Sequence, residues 1–115
     1  MATKAKVKSE TLYLLGILAV GDTVSSTDDT YMDDVWDYVF NDLKDEGLDG
    51  WPIAGPVQDN CVPHVSSLMA LSSMDTYSVD QVRYQRIVNK AQVAKIEIRR
   101  LLTPRYESLD DPVDY

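Results

Sequence analysis

Apolar residues recur at spacings of three and four along most of the chain, which is the period of an amphipathic α-helix. The clearest stretch lies between Ser26, which forms an imperfect capping box with Asp29, and Gly47, which stops the helix. Carboxylates occupy the side of this helix opposite its apolar face. The pattern predicts a long acidic helix with core-facing positions at Met32, Val35, Trp36, Val39, Phe40 and Leu43.

A shorter apolar stretch precedes the acidic helix and predicts a first helix that is buried on most sides. Ser9 is the expected N-cap, and Gly21 supplies the left-handed residue that ends the helix. Residues 1–8 are polar and rich in lysine, with no apolar period, which predicts a frayed start. The apolar stripe consists of Leu12, Leu15, Gly16 and Ala19, widened by Ile17 and Leu18.

A loop at residues 48–62 contains two glycines and two prolines. We predict that it is structured, because Trp51, Ile53 and Val57 need a place to pack. Asp59 or Asn60 can cap a third helix, which has Pro63 in its first turn. This helix presents apolar residues at Val65, Leu68, Met69 and Leu71, with small residues between them.

The last helix has the most regular pattern in the chain. Ser78 and Gln81 form a capping box at its start, and Pro104 ends it. Its length of roughly 24 residues corresponds to about 36 Å. The apolar seam consists of Tyr84, Ile87, Ala91, Ala94, Ile98 and Leu101.

These elements predict an all-α protein, a small bundle of about four helices with a long C-terminal helix. A chain of 115 residues forms one domain, which we place at residues 1–104, followed by an extended tail at residues 105–115. The longest apolar run, residues 12–20, is about half of a membrane span, so we expect a soluble protein made in the cytoplasm. A single cysteine, Cys61, excludes an internal disulfide.

Charge is divided unevenly along the chain, whose formal net charge is −8. Residues 22–59 hold eleven carboxylates and one base, for a net charge of −10, whereas residues 79–105 hold seven bases and two carboxylates, for +5. The division predicts complementary faces that meet either within one molecule or between copies, although an unevenly charged solvated surface is the alternative. Pairing of these bases with the acidic helix of a neighbouring copy would account for both charged segments. The predicted acidic face is Asp33, Asp34, Asp37 and Asp42, and the basic face is Arg83, Arg86, Lys90 and Arg100.

No pattern in the sequence predicts catalysis, a metal or a cofactor. The carboxylates between Asp28 and Asp37 lack the alternate spacing and the turn glycine of a calcium loop. Cys61 and His64 lie three apart, but the sequence has no second Cys or His to complete a zinc site. Glycine-rich phosphate loops and nucleophile-elbow motifs are absent. We therefore expect a protein that acts by binding other proteins.

The net charge also disfavours nucleic-acid binding as a primary role, since only the basic side of the last helix could contact phosphate. The tail, in contrast, carries four apolar or aromatic anchors beside Pro112. This composition is typical of an extended peptide that docks on a partner, with an ordinary disordered terminus as the alternative. The candidate partner-binding residues of the tail are Arg105, Tyr106, Leu109, Val113 and Tyr115.

The order of these elements resembles a known family. A helix at residues 11–22 (Thr-Leu-Tyr-Leu-Leu-Gly-Ile-Leu-Ala-Val-Gly-Asp) precedes an acidic helix at residues 31–43 (Tyr-Met-Asp-Asp-Val-Trp-Asp-Tyr-Val-Phe-Asn-Asp-Leu). A Gly/Pro/Trp loop, a small-residue helix and a long basic helix follow. Over residues 9–102 this order is similar to the head-to-tail adaptor (connector or head-completion) proteins of tailed bacteriophages, particularly the tail-accessory adaptors of short-tailed phages.

The resemblance implies a homo-oligomeric ring, commonly a dodecamer, beneath the portal at the head–tail interface of the virion. Such a ring extends the DNA channel without sequence-specific binding and offers a platform to tail or nozzle proteins. The resemblance assigns portal binding to residues 105–115. A second hypothesis, from a different class, is a small acidic regulatory or inhibitor protein that binds a host or phage protein.

Overall fold

The computed structural model of the protein describes residues 1–19 and 21–102. The predicted all-helical architecture is confirmed, and the one β-type contact in the described ranges is an isolated bridge between Ala2 and Val57. The tail predicted at residues 105–115 lies outside the described residues. The helices are α1 (Lys4–Leu15), α2 (Ser26–Asp45), α3 (Val62–Ser73) and α4 (Gln81–Leu102), and a 3-10 turn (Asp59–Cys61) leads into α3.

Helix α1 begins and ends earlier than the sequence predicted. Thr3 is its N-cap, with a side-chain oxygen that accepts a hydrogen bond from the amide of Lys6 at 3.2 Å. The predicted cap at Ser9 and the frayed start are therefore wrong. Gly16, with a φ of +78°, provides the left-handed C-cap that was assigned to Gly21.

Helix α2 matches its prediction closely, since all six predicted core-facing residues are buried. Its N-cap is Ser25 instead of Ser26, and the Ser25 hydroxyl accepts from the amide of Asp28 at 3.2 Å. Asp28 and Asp29 lie in the first turn, where the helix dipole favours negative charge. Glu46 is the C-cap, and Gly47 follows it with a φ of +73°.

Helix α3 lies at the centre of the bundle and packs against the other three helices. Small buried residues allow this close packing, and their hydroxyls bond to nearby carbonyls: Ser73 donates to Met69 at 2.7 Å. Ser66 donates across to the α1 carbonyl of Val7 at 3.3 Å, and Thr11 donates to the same oxygen at 2.9 Å. In the described part of the chain the backbones of α2 and α4 do not approach each other closely, and Lys95 links the two helices at the end of α2.

The start of α3 combines one confirmed and one corrected expectation. Pro63 lies in the first turn, where its missing N–H costs nothing. Asp59 and Asn60, however, form the 3-10 turn, and Cys61 is the N-cap without a side-chain hydrogen bond.

Helix α4 spans 22 residues, or roughly 33 Å. The centre of its predicted seam is buried, whereas Tyr84 at one end is exposed and Leu101 at the other is half-buried. The carboxylate of Asp80 accepts from the amide of Arg83 at 2.8 Å, so Asp80 caps the helix and the predicted Ser78 box is wrong. The buried seam residues are Ile87, Ala91, Ala94 and Ile98.

The loop after α2 is structured, as the sequence predicted. Trp51 and Val57 are buried, whereas Ile53, which was also expected to pack, is 46% exposed. The indole N–H of Trp36, in α2, donates to the carbonyl of Ile53 at 2.7 Å. Leu102, at the end of α4, packs so closely on Gly50 that a Cβ there would lie 2.5 Å from the leucine side chain. The loop therefore contacts both α2, through Trp36, and the end of α4, through Leu102.

We expect Gly16→Ala to lower the free energy of unfolding by about 2 kcal/mol. Alanine is strained at a φ of +78°, and its Cβ would lie 2.8 Å from the Arg83 guanidinium. Gly47→Ala is the matched control, since its φ is +73° with no atom within 4 Å of the added Cβ. Urea unfolding of both variants measures the difference. Equal losses of stability in the two variants would show that the close approach of the new Cβ to the Arg83 guanidinium adds nothing to the cost of Gly16→Ala.

Candidate protein–protein interface

The predicted acidic face of α2 divides into residues with partners in the same chain and residues without. Asp33 accepts a hydrogen bond from Lys8 at 2.9 Å and pairs with Lys4 at 3.2 Å. Asp42 pairs with Lys95 at 2.8 Å. Both carboxylates therefore hold α2 against α1 or α4, a role that charge counting along the sequence cannot reveal.

Lys8 is the centre of the contact between α1 and α2. Only 8% of the residue is exposed, and its ammonium group lies 2.8 Å from Asp29 and 2.9 Å from Asp33. Burial acts to lower the pKa of Lys8, but the hydrogen bonds to the two carboxylates outweigh it and raise the pKa. The hydrogen bond from Lys8 is also the main reason why the pKa of Asp33 is lowered.

Lys95 makes the corresponding contact between α4 and the end of α2. Its ammonium group lies between Asp42 and Glu46, and hydrogen bonds to these carboxylates raise its pKa. The sequence prediction counted Lys95 among the bases of the last helix but not among the site residues. An (i, i+4) acidic pair on one helix is the signal that could have indicated a cation from another helix.

The outward side of α2 presents carboxylates that have no ion-pair partner in the described part of the chain. Asp34, Asp37 and Asp45 are exposed and form no ion pair within residues 1–19 and 21–102. Tyr38 lies among them and is 67% exposed. These residues point away from the core, because they lie on the face opposite the buried seam. We reserve the name acidic face for this observed surface, which differs from the predicted set and consists of Asp34, Asp37, Tyr38, Asn41 and Asp45.

The predicted basic face of α4 divides in the same way. The Arg83 guanidinium donates to the carbonyl of Tyr13 at 3.4 Å, so it provides a hydrogen bond to a carbonyl at the C-terminal end of α1. Arg100 donates to Glu97 of the same helix at 2.8 Å. Arg86 and Lys90 are exposed and form no ion pair among the residues that the structure describes. Of the four predicted bases, these two carry charge that is available to a partner.

Apolar side chains that the sequence prediction missed accompany these bases. Val82 and Ile96 are 69% and 62% exposed, and Val93 is half exposed. These apolar residues belong to a line of exposed positions that we call the α4 stripe: Val82, Arg86, Asn89, Val93, Ile96 and Arg100. The positions of the α4 stripe follow one another at alternating steps of four and three, which places them along one side of the helix, opposite its buried seam.

The described residues contain no cluster of three or more His, Cys, Asp or Glu side chains that could hold a metal ion. The start of α2 engages side chains instead: the Tyr77 hydroxyl donates to Asp28 at 2.9 Å. Cys61 is buried, and burial raises the pKa of its thiol, which keeps it protonated. No described helix is long and apolar enough to cross a membrane.

Comparison of the chain with known protein families, with curated proteins and with solved structures gives no match. The described residues form a helical bundle with an acidic face on α2 and an apolar, basic stripe on α4.

Proposed function

We propose that this chain is a structural adaptor that assembles as a homo-oligomeric ring, of the kind found between the head and the tail of tailed bacteriophages. The observation that carries the proposal is the position of the two surfaces. The acidic face lies on the outward side of α2, and the α4 stripe lies opposite the buried seam of α4. The ion pairs that join these two helices within one copy use Lys95 with Asp42 and Glu46, which lie outside both surfaces. Two different patches that meet between copies form a heterologous contact, and such contacts form a ring where the rotation closes.

The net charge fits the proposed place of the ring. A chain with a formal net charge of −8 repels phosphate, so DNA would pass through an acidic ring without being held. In this proposal the ring sits beneath the portal, extends the DNA channel and presents its other side to tail proteins. The candidate portal-binding segment, residues 105–115, lies outside the described residues.

Native mass spectrometry of the purified chain, alone and mixed with the portal protein of the same virus, tests this function. We expect a defined ring that binds the portal. A chain that stays monomeric and ignores the portal would exclude the adaptor role and would favour the acidic regulatory protein. In that case a gene position beside regulators, away from portal and capsid genes, would support the alternative.

Deletion of residues 105–115 should abolish portal attachment and leave the helical content unchanged. The anchors Tyr106, Leu109, Val113 and Tyr115 would be lost, whereas the described helices end at Leu102. Co-sedimentation with the portal measures attachment, and far-ultraviolet circular dichroism measures helix content. A chain in which Gly and Ser replace the same residues controls for length. Undiminished attachment of the deleted chain would place the portal contact elsewhere.

A further inference from the structure

A shallow groove runs along the outward side of α2, next to α3. Its lining combines two tyrosines, Tyr31 and Tyr38, with the carboxylate of Asp34, and Ser72 closes it on the α3 side. It continues toward the start of α2 past Thr30 and Thr27. Aromatic walls around a carboxylate are suited to a cation, and above all to a guanidinium, which can stack and form an ion pair at once.

Contacts within the chain hold the Tyr31 wall of the groove in place, whereas the Tyr38 wall is exposed to solvent. The Tyr31 hydroxyl shares a hydrogen bond of 2.6 Å with Thr76, and its ring meets the ring of Tyr77 edge-on at 5.8 Å. Tyr38 projects into solvent with two-thirds of its surface exposed. The groove is therefore preformed on the Tyr31 side, which lowers the entropic cost of binding.

The α4 stripe offers a matching shape and charge. Arg86 stands on it between exposed Val82 and exposed Val93, and has no ion-pair partner in the described ranges. On α2, Asp34, Tyr38, Asn41 and Asp45 follow one another at steps of four, three and four, and the α4 stripe repeats at the same steps. Two helices with this spacing can pack side by side along a shared seam.

We propose that the groove lined by Tyr31, Asp34 and Tyr38 receives the α4 stripe of a second copy, with Arg86 as the residue that enters it. This inference rests on the ring assembly proposed above and names the contact that would build it. Val82 and Val93 pack beside the tyrosines, and Asp34 pairs with the guanidinium. Each copy offers both a groove and a stripe, so the contact continues from copy to copy until a ring closes.

Charge exchange between the two surfaces tests the contact. Arg86→Glu and Asp34→Arg, made singly in the full chain, should each weaken self-assembly by roughly 100-fold, because each places like charges face to face. The double variant, Arg86→Glu with Asp34→Arg, should assemble to within roughly tenfold of the original chain, since opposite charges meet again. Sedimentation velocity gives the assembly constants, and native mass spectrometry on the portal gives the copy number. Tyr38→Ala should weaken assembly by roughly tenfold without any charge change.

Lys6→Glu reverses a charge on α1, outside both surfaces, and should leave assembly unchanged. Circular dichroism of every variant shows whether the fold is retained. Single reversals that assemble as well as the original chain would overturn this contact while leaving the ring proposal intact. A double variant no better than the singles would also overturn it. An original chain that never assembles, with or without the portal, would remove the adaptor function itself.

Discussion

Replacing Trp36 with alanine should lower the free energy of unfolding by about 4 kcal/mol, the largest effect that we expect from a single substitution. Trp36 is 1% exposed, and its ring stacks on Phe40 with centroids 6.3 Å apart. Its indole N–H donates to Ile53 at 2.7 Å, which attaches the loop to α2. The ammonium group of Lys4 lies 5.9 Å from the ring centroid. The substitution removes a core side chain, a loop contact and a cation–π contact together.

Two further variants separate these contributions. Trp36→Phe keeps an aromatic ring but loses the hydrogen bond and part of the volume, and should cost about 2 kcal/mol. Tyr38→Ala removes an exposed aromatic residue from the same helix and should change the stability of the monomer by less than about 0.5 kcal/mol. Urea unfolding followed by circular dichroism measures all three. A loss below about 1 kcal/mol for Trp36→Ala would show that this side chain contributes little to the stability of the core.

Removal of the buried ammonium group of Lys8 should also destabilise the fold, through the loss of the contact between α1 and α2. Lys8→Ala loses both ion pairs and the packing of the aliphatic stem, and should cost about 2 kcal/mol. Lys8→Met keeps most of the stem and should cost about 1 kcal/mol, because the half-exposed Asp29 and Asp33 can regain water. Lys6→Ala, which removes an exposed pair with Glu10, should cost less than about 0.5 kcal/mol.

The difference in stability between the original chain and Lys8→Met should depend on pH at both ends of the range. The pKa of Asp33 is lowered from 3.8 in the folded protein, so its stabilising contribution is present above 3.8 and is lost as the pH falls through the folded value. The pKa of Lys8 is raised from 10.5, so its contribution is present below 10.5 and is lost as the pH rises through the folded value.

Urea unfolding of both chains between pH 2 and pH 7 checks the acid side. We expect the difference in unfolding free energy between the original chain and Lys8→Met to become small at the lowest pH. Because the ammonium group is buried, added salt should reduce the difference at pH 7 only slightly. A difference that stays constant down to the lowest pH would show that Lys8 stabilises the fold through packing alone.

The sequence predicted the elements whose folding depends on their own periodicity. All six apolar positions predicted for the acidic helix are buried in α2, and the seam of the last helix is buried from Ile87 to Ile98. Caps were less predictable, since Ser25 and Ser26 are chemically equivalent candidates one residue apart. Asp80 likewise competes with Ser78, and only the backbone geometry selects between them.

The start of α1 shows why local pattern failed. Lysines that alternate with Ala5 and Val7 show no helical period of apolar residues, yet Val7 and Lys8 are buried in the bundle. Carboxylates from α2, more than twenty residues away in the chain, make that burial favourable. The same long-range dependence explains Arg83, which the sequence assigned to an interface and which contacts the end of α1. Charge counting indicates how much charge a segment holds, and only the fold shows where it is neutralised.

For the candidate site, the sequence indicated the two helices but only part of the surface. Asp34, Asp37, Arg86 and Lys90 are predicted residues that keep their charge available, whereas the exposed apolar positions of α4 were overlooked. Val82, Val93 and Ile96 lie on the side of α4 opposite its buried seam, where an amphipathic pattern predicts polar residues. A second stripe on the opposite side of the same helix is the signal that could have revealed them.

The small residues of α3 acquire a geometric role if α2 and α4 meet between copies. Ser66, Ser67, Ala70 and Ser73 are buried, and their size determines how closely the outer helices approach the central one. The angle between the acidic face and the α4 stripe is the angle through which each copy turns relative to the next. Closure of a ring requires that this angle divide a full rotation evenly. A single larger side chain in α3 could then change the number of copies or open the ring into a helical filament.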